Sequence, residues 1–308
     1  MPKRSEVVEA LIRSLDDEEP RVAEAAAAAL TTIGDACIHQ LVEALSEAPL
    51  LLRESLLRVL SELEMPEAEI VGPVRREMEV AYGLVAEQAA LEALEESPGR
   101  DFLLDGLRAD FGTRLRAIFR LLRAVGLARE VELIERGLAS PDRRRRAVAV
   151  EGVEKVIHTG VSRLLVPLVD ELPLWERLSA GTKAFGTTHP AIEDLLRYCL
   201  DSGDPVRQIG ACVLLAEMGE AHRWTEPLRQ LAREAPPAVA FQARVSHRGR
   251  EAGEPMLTTL DKVIFLRKVD LFKDLDVRAL TAIATIAEER SVEPGAFLCR
   301  QGEEGESM

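Results

Sequence analysis

The feature that most constrains this chain is a segment that can be laid over a later copy of itself. Residues 10–35 align with residues 195–220, a shift of 185 positions (195 − 10). The matched positions carry leucine, aspartate, proline and glycine: Leu11, Leu15, Asp16, Pro20, Leu30 and Gly34 fall on Leu196, Leu200, Asp201, Pro205, Leu215 and Gly219. Internal similarity of this kind favours a fold of stacked units, because one short unit cannot bury its apolar stripe alone.

Each unit is predicted to be a helical hairpin. Leu11 and Leu15 lie four residues apart, on one face of a first helix. Pro20 stops that helix and suits the first position of the next one, which is apolar until Gly34 releases the chain. Weaker copies of the pattern occupy 41–64, 133–157 and 224–245, so at least five hairpins are expected.

The segment between the early and late hairpins departs from the repeat. Residues 65–126 keep a helical spacing of apolar side chains but show no turn at the repeat interval. Two or three longer helices are predicted there, with a break at Ser97-Pro98-Gly99 and a further break at Gly112.

The hairpin turn itself resembles that of HEAT repeats, most clearly in DPVRQIGACVLLAEMG, residues 204–219. The resemblance implies an all-α fold over residues 3–250, an α-solenoid of the armadillo-like kind, in which hairpins stack into a right-handed superhelix. It also implies that function lies on the curved surface of the solenoid, as protein–protein interaction.

The last fifty residues have a sequence pattern that differs from that of the hairpins. Residues 257–308 contain two short helical patterns, a Pro-Gly turn and a strand-like Ala-Phe-Leu-Cys, ending in EPGAFLCRQGEEGESM. This order resembles the opening of a cyclic-nucleotide-binding domain of the catabolite-activator type, cut off inside its β-roll. The resemblance makes Gly295, Gly302 and Gly305 structural turn glycines of the roll. The alternative is one more hairpin followed by an acidic tail.

No nucleotide-binding residue is expected within this chain. In the family that it resembles, the phosphate-binding cassette would lie beyond Met308, so cAMP or cGMP is expected only in a longer, full-length protein of which this chain is a fragment. The junction 246–255, rich in glycine, is the predicted hinge for signalling between the two parts.

A weaker resemblance concerns the solenoid. Residues 114–126, 134–157 and 164–178 are similar to the HEAT segment that some bacterial ATP/ADP-translocase-like proteins carry beside a cyclic-nucleotide-binding domain. It implies an alternative role as the cytosolic regulatory module of a nucleotide transporter, associated with a membrane protein. The chain has no run of about 18 apolar residues, so no transmembrane segment is expected within it.

Charge and cysteine content narrow the setting. The formal net charge is -14, which opposes binding to nucleic acid or to an anionic membrane. The cysteines show no paired spacing for a disulfide framework or a zinc site: Cys37, Cys199, Cys212 and Cys299. A reducing, cytoplasmic location is the simplest expectation.

The candidate contact site is the basic run Arg143, Arg144, Arg145 and Arg146, which follows Ser140-Pro141-Asp142. One interpretation is a contact for phosphate or for an acidic protein partner. The other, which is favoured, is that the arginines begin the second helix of a hairpin, pair with nearby acids and cover apolar surface.

Catalytic and metal sites find no support in the sequence. SAGTKAFGTTHP, residues 179–190, lacks the Gly-Lys-Ser or Gly-Lys-Thr of a phosphate loop. The histidines have no metal-ligand spacing: His39, His158, His189, His222 and His247. A HEAT-fold lyase or DNA glycosylase would need an aromatic cleft, for which only Trp175 and Trp224 offer tryptophan. The predicted function is therefore a non-enzymatic scaffold, regulatory or signalling, without cofactor or metal.

Overall fold

The structure of the chain, a computed structural model, describes residues 4–63, 66–157, 159–249 and 257–289. Over these residues the fold is all-α, without a strand. The predicted all-α class is thereby confirmed. The α-helices are α1 (Arg4–Ser14), α2 (Pro20–Ile33), α3 (Ile38–Glu47), α4 (Leu50–Glu62), α5 (Glu67–Glu92), α6 (Pro98–Leu122), α7 (Ala128–Leu138), α8 (Arg143–Val156), α9 (Thr159–Val169), α10 (Leu174–Phe185), α11 (Ile192–Asp201), α12 (Pro205–Glu217), α13 (Thr225–Glu234), α14 (Pro237–Arg248), α15 (Thr259–Leu266) and α16 (Val277–Ile286).

The matched positions of the repeat have matching roles in the helices. Pro20 and Pro205 are the first residues of α2 and α12, where a missing backbone N–H costs nothing. Gly34 and Gly219 both have positive φ angles, 70° and 71°, a left-handed conformation that glycine adopts without a steric penalty. Proline and glycine therefore set the same start and stop in both copies.

The longer central helices were partly predicted. α5 and α6 occupy the irregular segment, and the chain breaks between them at residues 93–97, beside the predicted Ser97-Pro98-Gly99. The second predicted break is wrong, because α6 runs through Gly112 without interruption. A mid-helix glycine costs only about 1 kcal/mol against alanine, which the buried side chains of the same helix outweigh.

The described chain divides into two compact units. Unit 1 comprises 1–95 and 107–195, and unit 2 comprises 96–106 and 196–308. Residues 257–289 therefore share a unit with residues 196–249. The domain boundary near residue 250 stays a prediction.

Unit 1 stacks its first two hairpins on each other. α1 packs on α2 and α3 packs on α4 within the hairpins, while α1 also contacts α3 and α2 contacts α4 between them. The apolar residues at these contacts, among them Val8, Leu30 and Leu41, are fully buried. Burial of this order contributes about 25 cal/mol per Å2 of apolar surface.

A second group of helices in unit 1 closes around Tyr82. The side chain of this tyrosine, on α5, is fully buried, and its hydroxyl donates a 2.7 Å hydrogen bond to the backbone carbonyl of Leu164 on α9. Gly181 lets α10 approach, because a Cβ at that position would lie 2.8 Å from the tyrosine ring. The close approach explains why this glycine stands inside a helix.

Unit 2 is built around α12. All residues from Val206 to Leu215 are buried, so this helix has no solvent-facing side over that length. α14, α15 and α16 pack against it, and the first turns of α6 approach it closely at Gly99 and Gly210. The repeat pattern predicts an amphipathic α12, and its complete burial was not predicted.

Residues 20–45 form a helical run with the length and hydropathy of a membrane-crossing helix. This run is not one straight α-helix, because the 3-10 turn Gly34–Cys37 separates α2 from α3. The predicted strand near Ala296 and the turn glycines Gly295, Gly302 and Gly305 lie outside the described residues, as do residues 250–256 of the predicted hinge.

Candidate functional site

A groove with a volume of about 770 Å3 runs along the hairpin of α7 and α8 in unit 1. Buried residues form its base and exposed residues form its rim. It is lined by Glu130, Leu133, Ile134, Arg136 and Gly137 of α7, by Ser140 and Pro141 of the turn, and by Arg144, Arg145, Val148, Ala149, Gly152 and Val156 of α8. We call this feature the α7–α8 groove.

Two glycines allow the helices of the groove to lie close together. A Cβ on Gly137 would stand 2.7 Å from the Cβ of Ala149, and one on Gly152 would stand 3.2 Å from Ile134. Real Cβ atoms do not approach to 2.7 Å, so a larger residue at Gly137 would push the two helices apart, whereas one at Gly152 would need Ile134 to shift by a few tenths of an ångström. The base of the groove is therefore closely packed at Gly137.

Its walls carry large apolar side chains that face solvent. Leu133 is 60% exposed and Val148 is 67% exposed, while their sequence neighbours Ile134 and Ala149 are buried. Adjacent residues of a helix point about 100° apart, so the buried member of each pair faces the core and the other faces outward. The sequence analysis missed both residues, and these adjacent apolar pairs are the signal that would have indicated them.

The basic run begins α8, as the favoured interpretation predicted. Asp142 caps the helix by accepting a 2.9 Å hydrogen bond from the backbone N–H of Arg144. Arg146 forms an ion pair with Glu171 at 2.5 Å and donates to the carbonyl oxygen of Ser140. Arg143 lies 4.0 Å from Glu171. These contacts hold the start of the helix in place.

The same run also supplies part of the groove. Arg144 and Arg145 line it from α8, and Arg136 lines it from α7. Arg145 is 4.0 Å from Asp142, and Arg136 pairs with Glu132 on the same helix. The two interpretations of the run are therefore compatible, because different arginines serve the helix and the groove.

Arg144 differs from the other three arginines of the run in its ion pairs among the described residues. Within the described part of the chain its exposed guanidinium has no ion-pair partner, and its backbone N–H alone is engaged by Asp142. Glu130 is the acidic residue among those that line the groove, against the three arginines. Since Glu132 and Asp142 neighbour the other two arginines, Arg144 is the groove arginine that is open to an acidic group of a partner.

A buried ionic cluster lies elsewhere in unit 1. Glu77 on α5 is 1% exposed and its carboxylate accepts hydrogen bonds from Arg53 of α4 and from Arg114 of α6, the latter at 3.1 Å. Both carboxylate oxygens are thus engaged by guanidinium groups. The cluster ties three helices together.

The residues considered for catalysis are dispersed. Residues 179–185 form part of α10 and not a loop, with Thr182 donating to the carbonyl oxygen of Leu178. Trp175 is exposed in unit 1, whereas Trp224 is buried in unit 2 beneath the guanidinium of Arg197. They therefore do not form one aromatic cleft within either unit.

Cysteine and histidine residues show the same dispersion. Cys199 and Cys212 are buried, as predicted for small core residues, and burial raises the pKa of Cys212 to about 12. Cys37 is buried too, and desolvation raises the pKa of its thiol. Across the described ranges, no group of three His, Cys, Asp or Glu side chains is placed to hold a metal ion.

Comparison with known proteins adds no further information. The chain matches no protein-family model, no curated protein and no solved structure. The α7–α8 groove is therefore the candidate site on the strength of its own geometry.

Proposed function

We propose that this chain is a non-enzymatic protein-interaction scaffold and that it binds a protein partner in the α7–α8 groove. The observation that carries the proposal is the pair of exposed apolar walls, Leu133 and Val148, above a closely packed base. Contiguous apolar surface rimmed by polar residues marks interaction sites in soluble proteins.

The composition of the groove supports a protein partner over a small molecule. Interface cores are enriched in apolar side chains and arginine, and the groove combines both. A small ligand is normally enclosed over most of its surface, whereas this groove is open to solvent along Leu133 and Val148. A larger partner would cover Leu133 and Val148 together.

A HEAT-like solenoid is the architecture that we propose for this scaffold. Its support is the packing of α1 on α3 and of α2 on α4, in which equivalent helices of successive hairpins meet. α12 meets α14 in the same way in unit 2. α16 also packs on α12, so the last described hairpin does not continue that order.

A photo-crosslinking experiment tests the groove as a binding surface. The chain is prepared with the photoreactive residue p-benzoylphenylalanine at position 148, or at position 80, where Val80 is exposed on α5 of unit 1. After irradiation in a lysate of the source organism, we expect one discrete adduct from position 148 and none of the same mass from position 80. Mass spectrometry identifies the adduct.

The identified protein is then purified and titrated directly. Binding to the unmodified chain should be weakened at least about tenfold by Val148→Asp and left unchanged by Val80→Asp, since one interface residue in a packed centre carries ~2 kcal/mol or more. Equal adducts from both positions, or equal affinity of both variants, would contradict the proposal.

A second proposal concerns unit 2. We propose that residues 257–308 begin a cyclic-nucleotide-binding domain, so that the scaffold is coupled to nucleotide sensing. The resemblance implies two helices here, and α15 and α16 are present. Phe265 of α15, Leu271 of the turn between them and Ile286 at the end of α16 are exposed, the last by 80%. Exposed apolar side chains of this kind are suited to packing against a further domain.

Calorimetric titration tests this second proposal independently. The protein is purified from its source at its native length and titrated with cAMP and with cGMP. Binding of either supports the coupling. Absence of binding by both would overturn it and would leave the groove proposal unaffected.

A further inference from the structure

We infer that the partner segment in the α7–α8 groove is an acidic amphipathic helix. The inference rests on the proposed function, because it names the chemistry of the partner at the same groove. It requires that the groove accept a helix, that the partner present an apolar stripe, and that its flanks be negatively charged.

The shape of the groove suits a helix. Two helices that lie close together, with glycine at Gly137 and Gly152, form a furrow between side-chain ridges, and a third helix packs into such a furrow with its own ridge. The residues described here include no strand, so they offer no sheet edge that could pair with an extended peptide. Helix-in-groove recognition, by contrast, requires only an apolar furrow of this kind.

The walls fix the apolar stripe of the partner. Leu133 and Val148 stand on opposite sides of the groove, one on α7 and one on α8. A partner helix can contact both with apolar residues at i, i+3, i+4 and i+7, which occupy one face. Those residues would cover the two walls and the groove between them.

The rim of the groove determines which charge is favoured beside the apolar stripe of the partner helix. Arg136 and Arg144 lie on opposite sides of the groove, with Arg145 beside the second, and Glu130 provides the opposing charge. Of the three arginines that line the groove, Arg144 is the one without an ion-pair partner among the described residues. Arginine binds carboxylates through two parallel hydrogen bonds. The exposed pairs of Arg136 and Arg145 are weak and can exchange partners. Glutamates flanking the apolar stripe would meet these groups.

A displayed peptide library tests the inference. The library consists of 18-residue helical peptides with leucine fixed at i, i+3, i+4 and i+7 and with Glu, Gln or Lys at every flanking position. It is sorted for binding to the folded full chain. We expect enrichment of glutamate at the flanks and no retention of the enriched peptides by the Val148→Asp variant.

One enriched peptide and its version with every Glu replaced by Gln are then compared by fluorescence anisotropy. The acidic peptide should bind about tenfold more tightly than the Gln version. Arg144→Gln with Arg145→Gln should remove most of that difference and leave the affinity for the Gln version unchanged. Arg163→Gln, an exposed arginine of α9 outside the groove, is the matched control and should change neither.

The outcomes separate the two proposals. If lysine or glutamine were enriched at the flanks, and binding were still lost in Val148→Asp, the inference of an acidic partner would be overturned and the groove would remain a binding site. Binding that is independent of Val148 would overturn both. Self-association in analytical ultracentrifugation that is lost in Val148→Asp would assign the groove to a second copy of this chain and overturn the inference. Circular dichroism of each variant establishes that it is folded.

Discussion

At the scale of single residues, the packing of unit 2 depends on a missing side chain at Gly210. A Cβ at this position would lie 2.6 Å from the Leu103 side chain and 3.2 Å from the ring of Phe102. Gly83, in the middle of α5, has no atom within 4 Å of the corresponding point. Replacement by alanine should therefore have opposite effects on stability at these two mid-helix glycines.

We expect Gly210→Ala to destabilise the chain by about 1–3 kcal/mol, because the added methyl group overpacks the core. Gly83→Ala should stabilise it by about 0.5–1 kcal/mol through helix propensity. Urea unfolding followed by circular dichroism measures both. A stabilising Gly210→Ala would show that α6 and α12 can separate freely.

The cluster at Glu77 gives a second prediction. Glu77→Gln keeps the shape of the side chain but leaves the half-buried Arg53 and Arg114 without their carboxylate. Breaking a buried ion pair by removing one partner costs about 3–5 kcal/mol, and we expect a loss of that order in urea unfolding. Glu79→Gln, an exposed change on the same helix, is the control and should cost less than about 0.5 kcal/mol. Equal midpoints for the two variants would contradict this role of Glu77.

Thiol reactivity follows from burial. Because desolvation raises the pKa of Cys212 to about 12, this thiol is almost wholly protonated near neutral pH and is also inaccessible. We expect iodoacetamide to leave Cys212 unmodified in the folded chain and to alkylate it in urea, as read by peptide mass spectrometry. Ala216→Cys, which places a thiol at an exposed position of the same helix, should react in the folded chain. Labelling of Cys212 before unfolding would indicate that unit 2 opens readily.

At the scale of helices, the start of α12 combines a cap with an ion pair. The Asp204 side chain accepts from the backbone N–H of Val206 and binds Arg278 of α16 through both carboxylate oxygens, at 3.1 and 2.6 Å. Burial acts to raise the pKa of Asp204, but the hydrogen bonds and charge of Arg278, with Val206 and Arg207, outweigh it and lower the pKa. The ionised form therefore stabilises the fold.

A lowered pKa fixes the direction of the pH dependence. The contribution of the Asp204 carboxylate is complete above its ordinary pKa of 3.8 and is lost as the pH falls through the lower pKa of the folded state. Asp204→Asn should therefore lower the free energy of unfolding at about pH 6 and approach the unmodified chain at about pH 3. Urea titrations at the two pH values measure the gap. Asp276→Asn, at the exposed cap of α16, controls for the loss of a capping carboxylate. If the difference in free energy of unfolding between Asp204→Asn and the unmodified chain grew as the pH fell, the stabilising role of the ionised Asp204 would be contradicted.

Predictability from the sequence also differs from element to element. The hairpins were predictable because Pro20, Pro205, Gly34 and Gly219 act locally, on the backbone of their own turns. The continuity of α6 through Gly112 was not, since tertiary packing overrides the weak preference of one residue. The groove was half predictable: the arginines form a visible run, but the exposure of Leu133 and Val148 depends on which helices cover α7 and α8.

At the scale of the whole molecule, net charge limits the partners. With a net charge of -14, the long-range field of the 308-residue chain repels polyanions. We expect a labelled DNA duplex to show no binding at physiological ionic strength, measured by fluorescence anisotropy. Binding that was lost when Arg143–Arg146 were changed to glutamine would reassign the basic run to nucleic acid.

The enclosure of α12 has a consequence for motion within unit 2. Its backbone amides between Val206 and Leu215 lie in the part of the helix whose side chains are all buried, so solvent deuterium can reach them only when the surrounding helices part. These amides should be the slowest in the unit to exchange. Their rate would then report the free energy of opening the whole of unit 2, whereas the exposed helix ends would report local fraying.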